Sequence, residues 1–274
     1  MPKFAVMTFM FKPWWRDGRV SHEALLAGIA AAGGQGVEPF HRDFVEDPGL
    51  LPRYRRALAD NGLRVAAVDV MCNLVYADAA QKQQGRDELR RGLDICRELD
   101  ADIAHVAGHR LVGGVSPADG RRMIADGLVE VAEVASANGM VLAIEDFDPS
   151  PDLICATRDC LEVMRLSGGV VKLVFDTGNF MAVGERADEQ FDLLAEHICH
   201  CHFKDFTSAG GTGRRGCDLG TGEIPNAVVA SKLTARGYAG WVALETRPRA
   251  DLDPLSAIGR ELPLLRSWFA GSGR

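Results

Sequence analysis

The segment SPADGRRMIADGLVEVAEVASANGMVLAIE, residues 116–145, carries a helix and a strand back to back. Ser116 is an N-cap residue type, Pro117 stands at the first helical position and Asp119 completes a capping-box pattern. Ile124, Leu128, Val131 and Ala135 recur at helical spacing on one face, and the helix is expected to run to Asn138, with Gly139 ending it. Val141-Leu-Ala-Ile-Glu145 follows, a short apolar run stopped by a carboxylate. A helix apolar along one stripe, beside a strand apolar on both faces, predicts a helix covering a parallel sheet.

The same unit repeats in both directions. Apolar runs at Phe4–Phe9, Gly36–Phe40, Arg64–Val70, Asp102–Ala107, Val141–Glu145, Val170–Asp176, Ile198–Lys204 and Trp241–Glu245 each precede a polar turn and an amphipathic segment. Eight such units in 274 residues predict an α/β fold, a single (β/α)8 TIM barrel, with residues 1–274 forming one domain. A doubly wound sheet would place a glycine-rich phosphate loop after its first strand. Phe11-Lys-Pro-Trp-Trp15 stands there instead.

The composition, 47% hydrophobic and 25% charged, is that of a globular protein with a large core. A net charge of −7 spread along the chain argues against nucleic acid and against an anionic membrane surface as partners. Phe4 to Met10 lacks the basic flank and cleavage site of a signal peptide, and no apolar run reaches the length of a membrane span, so a cytoplasmic protein is expected. The seven cysteines, an odd number without a C-x-x-C pair, read as reduced core residues.

Three of the last four strands finish on a carboxylate, Glu145, Asp176 or Glu245, and the other reads Ile198-Cys-His-Cys-His-Phe-Lys204. Side chains alternate across a strand. With Leu142, Ile144, Phe175 and Leu244 turned to the helices, the three carboxylates point to the barrel axis. Cys199, Cys201 and Phe203 then form the outward set of the seventh strand, and His200, His202 and Lys204 the inward one. A single acidic residue at a strand end is commonly a helix N-cap or a turn residue. Four successive strand ends at the C-terminal mouth, where active sites of such barrels lie, point to a site instead. Three inward carboxylates repel one another and require a cation among them. One divalent ion held by Glu145, Asp176, His202 and Glu245 meets that need. Oxygen donors with one imidazole suit Mn²⁺ or Mg²⁺ best, with Co²⁺ or Zn²⁺ as further fits.

The motifs Leu142-Ala-Ile-Glu145, Phe175-Asp-Thr-Gly-Asn179, His200-Cys-His-Phe-Lys-Asp205, Asp218-Leu-Gly-Thr-Gly-Glu223 and Gly237-Tyr-Ala-Gly-Trp-Val-Ala-Leu-Glu245 follow Gly36-Val-Glu38 in a fixed order. In order and spacing this set resembles the sugar phosphate isomerase/epimerase family of xylose isomerase-like barrels. The resemblance implies the same four metal ligands and a metal-dependent isomerase or epimerase of a small sugar, ketose or polyol-derived hydroxy-ketone. Glu145 and Glu245 would flank the carbon beside a chelated carbonyl as catalytic bases. A leaving group at the β-carbon would turn the same start into dehydration. A lyase of inosose or 3-dehydroshikimate type therefore stays open, as does a sugar-binding barrel without catalysis.

Ketose 3-epimerases that resemble this chain carry a histidine where Asn179 stands and an arginine where Ser208 stands. That counts against free-ketose epimerisation and leaves isomerases of hydroxypyruvate or inosose type, and related dehydratases, as close rivals. The endonuclease branch also places a metal-binding histidine at the Asn179 position, so DNA repair is not expected.

Substrate contacts are expected from Lys204, inward beside His202, from His109 and Glu38 near strand ends, and from Asn179. Arg214 is expected in a mobile anion-binding loop, Gly210–Gly216, and Trp14 in a loop folded over a sugar face. His105 is open to a site role or a structural one, and His41 is expected in a loop. The helix start at Gly222-Glu223 lies where such barrels often bind phosphate. A homo-oligomer is compatible with a barrel of this size.

Overall fold

Strands apolar on both faces need cover on both, and in the computed structural model of the chain they find it by wrapping round a common axis. Residues 1–210, 213–246 and 253–270 are described. The strands are β1 (Lys3–Met7), β2 (Gly36–Glu38), β3 (Arg64–Val65), β4 (Ala67–Met71), β5 (Ile103–Ala107), β6 (Val141–Glu145), β7 (Val171–Asp176), β8 (Ile198–Phe203), β9 (Asp205–Ser208), β10 (Arg214–Cys217) and β11 (Trp241–Leu244). Nine of them form one parallel sheet in the order β3-β2-β1-β11-β8-β7-β6-β5-β4, while β9 and β10 make a separate antiparallel hairpin.

The expected third strand, Arg64–Val70, is divided at Ala66. β3 pairs with β2 and β4 with β5, and this change of neighbour brings the two ends of the sheet together. The Asp69 amide donates to the Pro39 carbonyl at 2.9 Å across the seam. Eight strand positions thus encircle the axis as a TIM barrel, with β3 and β4 sharing the third.

Helices alternate with the strands. In the helix Pro117–Ala137 the Ser116 hydroxyl accepts the Asp119 amide at 3.2 Å, and Gly139 takes a φ of +71° just beyond its end. Ile124, Leu128, Val131 and Ala135 are all buried on its inner face. Two segments expected as loops are regular. Phe9–Phe11 forms a 3-10 turn that runs into the helix Lys12–Arg16, and Arg214 and Arg215 lie in β10. Of the loop expected at Gly210–Gly216, residues 211 and 212 lie outside the described residues.

The core has two layers. Between strands and helices lie Leu142, Ile144, Phe175, Cys201, Phe203 and Leu244, among many others. Inside the barrel a small cluster joins Ala5, Ala66, Ala67, Ala143 and Ala243 to Ile103, Val174 and Trp241. Alanines predominate there because the Trp241 ring already fills the space. A Cβ on Gly36 would stand 2.8 Å from it. Strand alternation is also broken in β8. The β7–β8 register shifts at Leu173/Val174, so Cys199 packs against the inner cluster rather than among the helices where period two puts it. No helix among the described residues is long and apolar enough to cross a membrane.

Candidate metal centre

Glu145 and Asp176 are the last residues of β6 and β7, His202 lies near the end of β8, and Glu245 follows β11. Parallel register sets Asp176 beside His202, and His202 beside Ala243. Ligand atoms of all four residues lie within 4.8 Å of one another. His202 Nδ1 is 3.0 Å from Glu145 Oε1, 3.7 Å from Asp176 Oδ2 and 3.8 Å from Glu245 Oε2. Asp176 is steadied from behind, because its Oδ1 accepts the amides of Gly178 and Asn179 at 2.8 and 2.9 Å. That leaves Oδ2 facing the centre.

Lys204 Nζ sits 2.9 Å from Asp176 Oδ2 and 2.9 Å from Glu245 Oε2. Burial works against its charge, but Asp176, Glu245 and Glu145 raise its pKa. Asp176 is pushed up to about 7 by burial; Lys204 opposes this, and Glu245 and Glu145 add to it. One ammonium among three buried carboxylates leaves the charge unbalanced.

Beneath the centre Glu38 is fully buried among three imidazoles. Its Oε1 accepts from His105 Nδ1 at 2.7 Å, and its Oε2 lies 2.8 Å from both His200 Nε2 and His202 Nε2. Burial would raise the Glu38 pKa, yet the charges of His202 and His200 hold it well below the usual range. Burial likewise opposes a charged His202, and the Glu38 charge with hydrogen bonds to Glu145 and Glu38 raises it well above the ordinary value. Glu38 therefore fixes one ring nitrogen of His202 and turns the other towards the three carboxylates. This is the arrangement by which a carboxylate orients a metal-binding imidazole.

The donor set fits a divalent cation: three carboxylates, an oriented imidazole, and negative charge in excess of Lys204. Glu38, His200 and His202 are also mutually close. Both Glu38 oxygens are already bonded to imidazoles, and none of these three residues lines the cavity above. That cavity, of about 400 Å³, has Asp69, His105, Glu145, Lys204 and Glu245 among its polar walls and Phe9, Met71 and Phe147 among its apolar ones.

Of the expected substrate contacts, Lys204 lines this cavity. Glu38 does not, and instead anchors the histidines. His109 is buried at the end of β5, where Nδ1 accepts the Leu74 amide at 3.4 Å and burial lowers its pKa to about 3. The Asn179 side chain is buried outside the cavity lining, and its backbone serves Asp176. Arg214 pairs with Asp148 and lies 4.6 Å over the Phe206 ring, which places Asp148 at the cavity wall. Trp14 is no lid residue. It is a buried part of the helix Lys12–Arg16, because its large apolar surface packs into the core. His41 begins the helix His41–Glu46, fully buried, with Nε2 3.0 Å from Glu88 Oε1, and is not in a loop.

The amides near Gly222 are also spoken for. Asp205 accepts the amides of Phe206, Gly220, Gly222 and Ile224 at 2.9–3.2 Å, and the next helix begins only at Asn226. The expected phosphate position is thus filled by a carboxylate of the chain itself. Ser208, in turn, donates its hydroxyl and its amide to Glu223.

Three polar cavity residues escaped the sequence reading, Asp69, Arg110 and Asp148. Asp69 left a signal: it is the one acidic residue inside the apolar run Val65–Val70, in phase with Ala67 on the inward side of β4. Arg110 left none, since an arginine in a loop is ordinary.

Comparison with known proteins places these features in context. The family model described as xylose isomerase-like TIM barrel matches residues 26–268. A protein of Streptomyces coelicolor to which hydroxypyruvate isomerase activity is ascribed is 24% identical over 244 residues, 82% of this chain and 85% of its own length. L-Ribulose-5-phosphate 3-epimerase UlaE of Escherichia coli is 23% identical over 221 residues, covering 79% of this chain and 76% of that protein. The crystal structure of IOLI protein with a bound zinc atom superposes with a TM-score of 0.81 at 17% identity, over 98% of each chain.

Proposed function

The chain belongs to the xylose isomerase-like TIM-barrel family, and on that footing we propose that it is a metal-dependent isomerase or epimerase of a small, unphosphorylated polyhydroxy ketone. One observation carries this reading: Glu145 and Glu245 belong to the four-ligand cluster and also line the cavity above it. In this reading Glu145, Asp176, His202 and Glu245 hold one divalent ion, with Mn²⁺ or Mg²⁺ preferred on the oxygen-rich donor set. Such an ion polarises a carbonyl and acidifies the neighbouring C–H.

The chain's own groups supply the rest. One of Glu145 and Glu245 accepts the proton from that carbon; delivery of a proton by the other from the opposite face would epimerise it, and return to the neighbouring carbon by the same base would isomerise it. Lys204, held between Asp176 and Glu245, donates to a substrate oxygen. The apolar walls exclude water from the transfer. The amides taken up by Asp205 favour a substrate without phosphate. The whole chain acts as one domain, and seven free cysteines support a reducing compartment such as the cytoplasm.

Dehydration of an inosose or dehydroshikimate-like acid is the second reading. It is favoured by Arg110, which lines the cavity, has no ion-pair partner among the described residues and suits a carboxylate.

Incubation with Mn²⁺ in D₂O and a panel of ketoses, inososes and hydroxypyruvate is expected to show metal-dependent exchange beside the carbonyl. Glu245→Gln is expected to lower both metal content and exchange by at least about tenfold while the fold is kept. A conjugated product without an epimer would move the assignment to the lyase. Absence of exchange and product with every compound, in protein shown to contain metal, would leave a sugar-binding barrel.

A further inference from the structure

The metal-centre residues occupy one half of the barrel, the strand positions of β6, β7, β8 and β11. Next to them, where β5 pairs with β6, β4 and β5 present Asp69 and His105 side by side in register to the same cavity. Each is 1% exposed. Neither carboxylate oxygen of Asp69 has a hydrogen-bond partner, and neither does His105 Nε2. Leaving such atoms dry is destabilising, so their persistence in the wall of a binding cavity calls for a ligand.

The chemistry of that ligand is restricted. Glu38 holds His105 by Nδ1 at 2.7 Å and leaves Nε2 turned to the cavity, 3.9 Å from Glu145 Oε2. Both Asp69 oxygens are without a partner beside it. A free carboxyl requires a donor and disfavours a carboxylate or phosphate, and a hydroxyl can both donate to Asp69 and pair with the imidazole nitrogen. A second metal ion is not indicated, because among the described residues neither group of convergent ligands includes Asp69 or His105. Met71 and Phe147, which line the cavity with them, offer apolar contact to the C–H face of a sugar. Burial pushes Asp69 up to about 7, which agrees with a carboxyl poorly satisfied by its own protein.

We propose that Asp69 and His105 form a hydroxyl-recognition subsite that binds adjacent hydroxyls of the substrate beyond its carbonyl end. The subsite narrows the substrate class to neutral ketoses longer than dihydroxyacetone. It rests on the isomerase or epimerase reading for the position of the carbonyl, but its hydroxyl binding is separable from turnover.

The test compares Asp69→Leu and Asp69→Asn with the Mn²⁺-loaded wild type, using ketopentoses and dihydroxyacetone as probes in D₂O exchange. Asp69→Leu is expected to raise KM for a ketopentose about tenfold more than KM for dihydroxyacetone, with Mn²⁺ affinity held within about twofold. Asp69→Asn, whose amide oxygen still accepts, is expected to recover part of the loss. An equal penalty on both probes would overturn the proposal. If the wild type exchanges neither probe, the enzymatic reading passes to the wider panel, and calorimetric titration of xylitol decides the subsite. Binding to wild type that Asp69→Leu abolishes upholds it, and equal or absent binding in both overturns it.

Discussion

Glu38 is where one residue controls most. Its carboxylate joins His105, His200 and His202, residues 67, 162 and 164 positions away in the chain. An inward position for it follows from strand alternation, but partners so remote in sequence do not. Glu38→Gln keeps the size and one acceptor while removing the charge that holds His202. Metal affinity is expected to fall about 10–100-fold, as is usual when the group behind a ligating imidazole is lost. Electron paramagnetic titration with Mn²⁺ measures this, and an unchanged affinity would show that Glu38 does not orient the ligand. The convergence of Glu145, Asp176, His202 and Glu245 was legible because period-two alternation acts within a strand. His109, Asn179 and Trp14 were misplaced because a loop or a strand end does not declare which way it folds.

Among the elements, the segment from β9 to the helix Asn226–Ala235 shows how a side chain substitutes for regular structure. Asp205 gathers four backbone amides, and a Cβ on Gly222 would stand 2.2 Å from its Oδ1. Asp205→Ala would leave those amides without a partner, at an expected cost of about 2–4 kcal/mol. Urea unfolding measures it, and a loss below about 0.5 kcal/mol would mean that water replaces the carboxylate freely. The glycines in Asp218-Leu-Gly-Thr-Gly-Glu223 were visible in the sequence as a loop near a helix start. What fills that loop was not, since a carboxylate from the preceding strand and a bound phosphate demand the same amides.

For the molecule as a whole, Glu261 links stability to pH. It is 3% exposed in the helix Pro254–Ala270, and burial pushes its carboxyl up to about 7. A raised carboxyl favours the fold in its neutral form. Its contribution is complete below the unfolded pKa of about 4.5 and is lost as pH rises through about 7. Glu261→Gln is therefore expected to stabilise the protein above pH 7 by on the order of 2 kcal/mol and to change little near pH 4. Thermal melts at both pH values read this out. A gain of equal size at both would point to packing rather than charge.

Sequence alone determined the barrel and the inward direction of Glu145, Asp176, His202 and Glu245. Both follow from periodicities that each strand and helix obeys locally. Tertiary structure decided everything that depends on closure. It split the third strand between two neighbours, set Glu38 under three distant histidines, gave the loop amides to Asp205, and left both Asp69 oxygens and His105 Nε2 without hydrogen-bond partners beside the four clustered residues. Those outcomes arise where strands far apart in the chain meet at one axis. The spacing of residues within any one strand carries no record of that meeting.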